Sequence, residues 1–206
     1  FIISINSKDK NMNKTKLTKD IEKALVEKYC SNKFKTYYGA IEVPCNNWSG
    51  KGKNNLDFAT YSPRDQGISC YEIKVTKSDF NSNASLSFLG HKNYIVVPYE
   101  LGRYLVTNWH NKSETDKWTH SNLPYSGIGV IAYFPETYDE LLTKYANTSL
   151  LDQALADYNH VSDKFVTLIK CKRKEIHLEQ RISLIEGILR AACRDATKAY
   201  LNNEFL

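Results

Sequence analysis

The sequence predicts a mixed α/β fold, in which helices flank a central β-sheet and one long helix ends the chain. Two short segments rich in β-branched and aromatic residues, 54–59 and 67–75, enclose a turn that contains Pro and Gly and predict a β-hairpin. Continuous apolar segments at 93–98 and 127–134 predict interior strands. Near the C-terminus, apolar residues recur at alternating steps of four and three, which predicts a helix of roughly twenty residues or more.

The composition is typical of a globular protein, with 42% hydrophobic and 25% charged residues. Its 206 residues favour one domain with a full core, and residues 1–15 are predicted to form a flexible lead. The net charge of +5 permits a polyanionic partner without requiring one. No apolar segment approaches the ~20 residues of a membrane helix, so no membrane partner is expected. Five cysteines without C-x-x-C spacing favour reduced thiols in a cytoplasmic protein over a disulfide framework or a zinc site.

The first predicted helix begins at residues 18–20, where Thr-Lys-Asp supplies capping chemistry, and ends near residues 30–32. Its apolar positions recur at helical spacing, at Ile21, Leu25 and Tyr29. Glu22, on the same helix, is expected to face solvent by default.

Residues 37–44 predict the first strand. The period of two places Ala40 and Glu42 on one face, and Ile41 and Val43 on the other. Taken alone, Glu42 is interpreted as a charge on an edge strand.

Residues 46–55 are polar, basic and rich in glycine, and they predict a mobile loop before the hairpin. In this loop Lys51 and Lys53 are predicted to contact a nucleic-acid strand by charge, and Trp48 by stacking. Its Gly-x-Gly is not followed by a helix, so a nucleotide-binding fingerprint is not supported.

The remaining segments are less regular. Residues 78–89 predict an irregular helix, and residues 101–106 are compatible with a helix or a strand. The polar segment 108–125 is interpreted as a surface loop, because its histidines lack metal-ligand spacing. Residues 135–158 predict one or two short helices, and residues 165–172 predict a strand.

The long C-terminal helix is expected to lay its apolar stripe on the core, and a homodimer seam is the alternative. The change from large residues to alanines along the stripe predicts a close approach at the C-terminal end of the helix. The stripe consists of Leu178, Ile182, Ile185, Leu189, Ala192, Ala196 and Ala199.

Charged residues interrupt the predicted hairpin. Glu72 and Lys74 share one face of the second strand, and a suitable register brings Asp57 of the first strand beside them. Two carboxylates and an amine are costly to bury unless they are paired, and oxygen ligands of this kind suit Mg²⁺. The metal would activate a water while Lys74 orients that water or stabilises the transition state. The alternative interpretation is a solvated strand face with a cross-strand ion pair.

These residues carry a resemblance. Asp57 followed by Glu72-Ile73-Lys74 resembles the motif of the PD-(D/E)XK nuclease superfamily, with Leu56-Asp57 in place of the Pro-Asp pair. More narrowly, residues 72–80 followed by residues 94–98 are similar to the MmcB-related group, which is assigned to DNA repair.

The resemblance implies a restriction-endonuclease-like core and a nuclease or endonuclease that hydrolyses DNA with Mg²⁺ or Mn²⁺. It implies that Asp57 and Glu72 hold the metal with the backbone carbonyl of Ile73, and that Lys74 serves the attacking water. Two further candidates follow from it: Glu42 matches a glutamate in the group's first strand, and in some members a helix glutamate, here Glu22, approaches the metal. Lys77, inside the shared string, joins Lys51, Lys53 and Trp48 as a candidate for nucleic-acid contact.

Two other classes of function stay open at this point. A non-catalytic nucleic-acid-binding or adaptor domain on the same fold is the main alternative. A small-molecule enzyme on an unrelated α/β scaffold is disfavoured, because the sequence lacks a phosphate-binding loop and a nucleophile motif. The nuclease hypothesis predicts that the carboxylates of Asp57 and Glu72 lie within roughly 6 Å of each other, the span that one divalent cation bridges.

Overall fold

A computed structural model describes residues 14–31, 37–46, 53–81, 88–108, 127–135, 140 and 164–202. Within these ranges the chain forms one six-stranded sheet and four helices. In chain order the elements are α1 Lys16–Cys30, β1 Tyr38–Asn46, β2 Lys53–Ser62, β3 Gly67–Ile73, α2 Lys77–Phe80, β4 Lys92–Pro98, α3 Tyr99–Asn108, β5 Gly129–Tyr133, β6 Phe165–Ile169 and α4 Leu178–Leu201.

The strands follow one another across the sheet in chain order, from β1 to β6. The pairs β1–β2, β2–β3 and β5–β6 are antiparallel, whereas β3–β4 and β4–β5 are parallel. The predicted mixed α/β fold with a long C-terminal helix is therefore confirmed. No helix in the described ranges combines the length and the apolar character that crossing a membrane requires.

The predicted hairpin is the β2–β3 pair. Its ladder begins where Ser62 pairs with Gly67 and ends where Phe58 pairs with Tyr71. The turn between the strands is fixed locally, because Gln66 adopts a φ of 51° and the Asp65 carboxylate accepts the Gly67 N–H at 3.2 Å. This is the turn chemistry that Asp favours, and it sets the register of the strands.

Two apolar clusters pack on opposite faces of the sheet, since they draw on alternate residues of β3. The α1 cluster contains Tyr71 and Ile73 of β3 with residues of α1 such as Leu25. The α4 cluster contains Ile68 and Cys70 of β3 with Leu184, Ile188 and Ala191 of α4. The long helix and the first helix therefore cover different faces of the central strands.

The predicted stripe of α4 is confirmed at Ile185, which packs against the α4 cluster, and is wrong at its other large residues. Leu178, Ile182 and Leu189 are 68%, 48% and 62% exposed, and the helix instead buries a neighbouring stripe. That stripe consists of Leu184, Gly187, Ile188 and Ala191. A Cβ at Gly187 would lie 2.4 Å from the backbone oxygen of Pro44, so this glycine allows α4 to approach β1 closely. The small residues on the buried face of α4 are therefore Gly187 and Ala191, and not the predicted Ala192, Ala196 and Ala199.

The predicted faces of β1 are confirmed for Ala40 and Ile41, which pack on opposite sides of the sheet, and are wrong for Val43. Ala40 and Val43 both belong to the α4 cluster, although they are three residues apart. Between them Glu42 adopts a φ of 49°, and the ladder passes from the Ile41–Phe58 pair to the Val43–Leu56 pair without a Glu42 pair. This irregularity reverses the alternation of side chains and turns the backbone at Glu42.

Several boundaries differ from the predictions. Thr15, and not Thr18, caps α1, because its side chain accepts the Thr18 N–H at 3.2 Å. Lys14 and Thr15 thus have defined contacts, although they were assigned to the flexible lead. Lys53 belongs to β2 and not to a loop. Residues 101–106, which were compatible with a helix or a strand, belong to the helix α3. Residues 88–90 are not helical. The predictions for residues 1–13, 47–52, 82–87, 109–126, 136–139 and 141–163 lie outside the described residues.

Candidate functional site

The candidate site lies where the β2–β3 ladder ends. Asp57 and Glu72 are each one residue beyond the last pair, Phe58 and Tyr71. The Asp57 Oδ2 accepts the Ile73 N–H at 2.7 Å, so the carboxylate lies against the peptide bond that joins Glu72 to Ile73. The strands thus bring Asp57 to the backbone of the Glu-Ile-Lys segment, as the hairpin predicted.

The Asp57 carboxyl is partly buried and lies among several charged side chains. Burial raises the pKa of its carboxyl above the ordinary value, while the Ile73 N–H and the positive charges of Lys14 and Lys74 oppose that effect. The negative charge of Asp79 adds to the rise of the pKa. A carboxylate in such a position gains from any further cation that reaches it.

Glu72 is buried, with 6% of the residue exposed. It alternates with Tyr71 and Ile73, which pack in the α1 cluster. Burial raises the pKa of the Cys70 thiol to about 12, and the charge of Glu72 contributes to that rise. Glu72 therefore lies on the same side of β3 as Cys70, and its approach to the Asp57 carboxylate within roughly 6 Å stays a prediction.

Lys74 is also buried, with 7% of the residue exposed, and its N–H donates to the Val96 oxygen at 2.9 Å. Its Nζ lies 3.5 Å from the Asp79 Oδ1. The Asp79 Oδ2 accepts the Val75 N–H at 3.2 Å, so one carboxylate holds both the backbone after Lys74 and its ammonium. The sequence predicts no separate role for Asp79. Thr76 caps α2 by accepting the Asp79 N–H at 3.0 Å.

A second group of charges surrounds Lys14. Its Nζ lies 2.5 Å from Glu22 Oε1 and 2.8 Å from Glu42 Oε1. Glu22 is 6% exposed, so the expectation that it faces solvent is wrong. Burial raises the pKa of Glu22, the Lys14 bond opposes the rise, and the charges of Asp57 and Glu42 add to it. Glu22, Glu42 and Asp57 are thus neighbours within one electrostatic cluster, and Lys14 is the member that sequence reasoning missed.

A residue of α4 hydrogen-bonds the β1 backbone where it turns at Glu42. Arg194 donates to the backbone oxygens of Ile41 at 3.0 Å and of Glu42 at 3.3 Å. The hydrogen bond from Lys14 lowers the pKa of Glu42, and the charges of Arg194 and Lys198 lower it further. Glu42 is therefore held as a carboxylate, with Lys14 on one side and α4 on the other.

The candidate nucleic-acid contacts are only partly described. The Lys77 Nζ hydrogen-bonds the Tyr104 hydroxyl and lies 4.4 Å from the centroid of that ring. Lys53 pairs with Asn46 in the β1–β2 ladder. Trp48 and Lys51 lie outside the described residues. Their contact with nucleic acid stays a prediction.

Metal binding at this site depends on which side chains could coordinate an ion. Across the described ranges, no group of three or more His, Cys, Asp or Glu side chains is arranged to hold a metal ion. Mg²⁺ is commonly bound by one or two protein carboxylates together with waters and substrate phosphates. Asp57 and Glu72 are residues of the type in that smaller donor set, and their convergence on one metal ion stays a prediction. The Lys14 ammonium binds the neighbouring carboxylates of Glu22 and Glu42.

Comparison with known proteins does not extend these observations. No protein-family model matches the chain, and no curated protein matches it. A solved structure of a protein of unknown function from Silicibacter pomeroyi is similar, with 12% identity and a TM-score of 0.48 over 88% of this chain and 90% of that chain.

Proposed function

We propose that the chain is a metal-dependent nuclease that hydrolyses phosphodiester bonds in DNA. The observation that carries this proposal is the position of the Asp57 carboxylate, 2.7 Å from the N–H of Ile73 in the Glu-Ile-Lys segment. It supports the resemblance to the PD-(D/E)XK superfamily, because that motif requires an Asp from one strand beside the (D/E)XK segment of the next.

In this proposal Asp57 and Glu72 hold Mg²⁺ or Mn²⁺, with the Ile73 carbonyl as a further ligand. The bound metal supplies Lewis-acid chemistry and lowers the pKa of its water. Glu72 is buried and Asp57 is partly buried, which strengthens their attraction for a cation.

Lys74 orients the attacking water or stabilises the charge that develops on the phosphate. Its ammonium has little freedom, because the side chain is 9% exposed and Asp79 holds it at 3.5 Å. Asp79 also accepts the Val75 N–H, so it acts as a positioning residue at the end of β3. The positive charge of Lys74 acts on the Asp57 carboxylate, which supports a role for Lys74 beside the phosphate that would be cleaved.

DNA is the proposed substrate because a polyanion suits a chain with a net charge of +5. Lys77, which is exposed, contributes positive charge after the Glu-Ile-Lys segment. Repair, restriction and recombination all use this class of chemistry, and the site does not distinguish between them.

One observation favours the alternative of a non-catalytic nucleic-acid-binding or adaptor domain. Lys14 pairs with Glu22 and Glu42, so part of the carboxylate cluster is already neutralised by the chain itself. In that alternative the charges are structural, and DNA is bound without being cleaved.

The test is incubation with end-labelled single-stranded, duplex and branched DNA in Mn²⁺, in Mg²⁺ or in EDTA. We expect cleavage of at least one of these DNAs with a divalent cation and none with EDTA. Binding of DNA without cleavage under every condition would support the adaptor alternative. Cleavage that persists in EDTA would contradict a metal-dependent mechanism.

A further inference from the structure

We infer that the Lys14 ammonium is a built-in competitor of the divalent cation: it holds the carboxylate cluster in the metal-free protein and must be displaced when the metal binds. The inference rests on the proposed function of this site and concerns its regulation. It assigns a role to a residue that lies outside every motif in the sequence.

The contacts of Lys14 support this role. Its Nζ bridges two elements, with Glu22 Oε1 of α1 at 2.5 Å and Glu42 Oε1 of β1 at 2.8 Å. The side chain of Glu22 is only 8% exposed, so this ion pair is largely withdrawn from water. The Lys14 ammonium thus links the helix α1 to the strand β1.

The same ammonium acts on Asp57, the proposed metal ligand. The positive charge of Lys14 stabilises the Asp57 carboxylate, and the negative charge of Asp57 acts in turn on Glu22. A divalent cation placed at Asp57 would repel the like charge of Lys14. Glu42, which Lys14 contacts, lies opposite Asp57 between the Ile41–Phe58 and Val43–Leu56 pairs of the ladder. The two cations therefore compete through their repulsion at neighbouring carboxylates and not for the same ligands.

Lys14 can leave without disrupting the fold. It precedes Thr15, the residue that caps α1, so its backbone is not part of the helix. Its side chain is 27% exposed and reaches solvent. Displacement requires rotation of one long side chain, whereas the carboxylates stay on α1, β1 and β2.

The consequence is a threshold for metal binding. Some of the affinity of the carboxylates for the metal is spent on displacing Lys14, so removal of its charge should tighten binding of Mn²⁺ by about tenfold or more. The metal-free variant should be less stable than the wild type, because buried Glu22 loses its partner.

The experiment measures Mn²⁺ binding by the resonance signal of free Mn²⁺ for the wild type, Lys14→Met and Lys14→Gln. The glutamine variant keeps a hydrogen-bond donor for Glu22 and guards against a loss of folding. Lys23→Met is the matched control, because Lys23 is a 78% exposed lysine of α1 that pairs with Glu27 at 3.9 Å. We expect tighter binding in both Lys14 variants and wild-type binding in the control.

A second measurement uses the unaltered protein. The rate of acetylation of Lys14, followed by mass spectrometry, should rise when Mn²⁺ is added, whereas the rate at Lys23 should not change. Equal Mn²⁺ affinity in the wild type and in both Lys14 variants, or an unchanged acetylation rate at Lys14, would overturn the inference and leave the proposed function standing. Absence of Mn²⁺ binding in every variant would overturn the proposed function and the inference with it.

Discussion

Asp57→Asn is expected to abolish metal-dependent cleavage of DNA and to leave a folded protein. The asparagine oxygen can still accept the Ile73 N–H that Asp57 accepts at 2.7 Å, so the substitution removes the charge and keeps the bond. Loss of a metal ligand should lower the cleavage rate by roughly a thousandfold or more, because the metal supplies several kcal/mol of transition-state stabilisation. The measurement is the single-turnover rate with saturating Mn²⁺.

The control for this variant is Asp65→Asn. Asp65 lies at the other end of the same hairpin and pairs with Arg173 at 3.0 Å, so its substitution removes an equal charge away from the site. Cleavage by Asp57→Asn at the rate of the Asp65→Asn control would contradict a role of Asp57 in metal binding.

The structure changes what stability measurements on Asp57 can show. From the sequence, the metal-site hypothesis expects Asp57→Ala to relieve repulsion and to leave the melting temperature unchanged or raised. The alternative of a structural ion pair expects a large drop in the melting temperature. The hydrogen bond to Ile73 alters the first expectation, because alanine leaves a partly buried N–H without its acceptor and this costs about 1–3 kcal/mol. A lower melting temperature of Asp57→Ala is now expected under both hypotheses, and only the asparagine variant separates them.

Lys74→Met is expected to lose cleavage and to keep Mn²⁺ binding. The methionine fills most of the space of the lysine stem at a position that is 7% exposed, but it carries no charge for the attacking water or the phosphate. Removal of one such preorganised group typically costs about a hundredfold to a thousandfold in rate. The cleavage rate and the Mn²⁺ affinity should be measured on the same preparation.

Lys164→Met, which alters an exposed lysine next to β6, is the matched control for Lys74→Met. A Lys74→Met protein that cleaves DNA like this control would contradict the catalytic role. A variant that folds but no longer binds Mn²⁺ would show that Lys74 organises the carboxylates and not the water.

The hairpin was predictable because its signals are local. Alternation along β3 and the turn residues between the strands determine which residues face each other. The contact between Asp57 and the Glu-Ile-Lys segment follows from that register. The position of Asp57 beside the Glu-Ile-Lys backbone could therefore be predicted from the sequence.

The rest of the site depends on contacts between distant segments. Glu42 adopts a φ of 49°, a conformation that its residue type does not indicate, and this turn changes the faces of β1. Lys14 precedes the helix by two residues and has no motif, so only the packing of α1 on the sheet brings it to Glu22 and Glu42.

The α4 helix illustrates a different limit. Its sequence contains two overlapping apolar stripes, and periodicity alone does not choose between them. Contact with the Pro44 backbone oxygen makes Gly187 decisive, because a larger residue there would prevent the approach. The exposed stripe with Ile182 and Leu189 remains available for the predicted homodimer seam.

The most direct test of the proposed metal site is a crystal structure of the protein grown or soaked with Mn²⁺, with the ion located by its anomalous scattering. The account predicts a peak at the end of the β2–β3 ladder, coordinated by the carboxylates of both Asp57 and Glu72, with these carboxylates within roughly 6 Å of each other. A structure without a peak there, with the Glu72 carboxylate directed away from Asp57 across the sheet, would contradict the metal site and the nuclease function together.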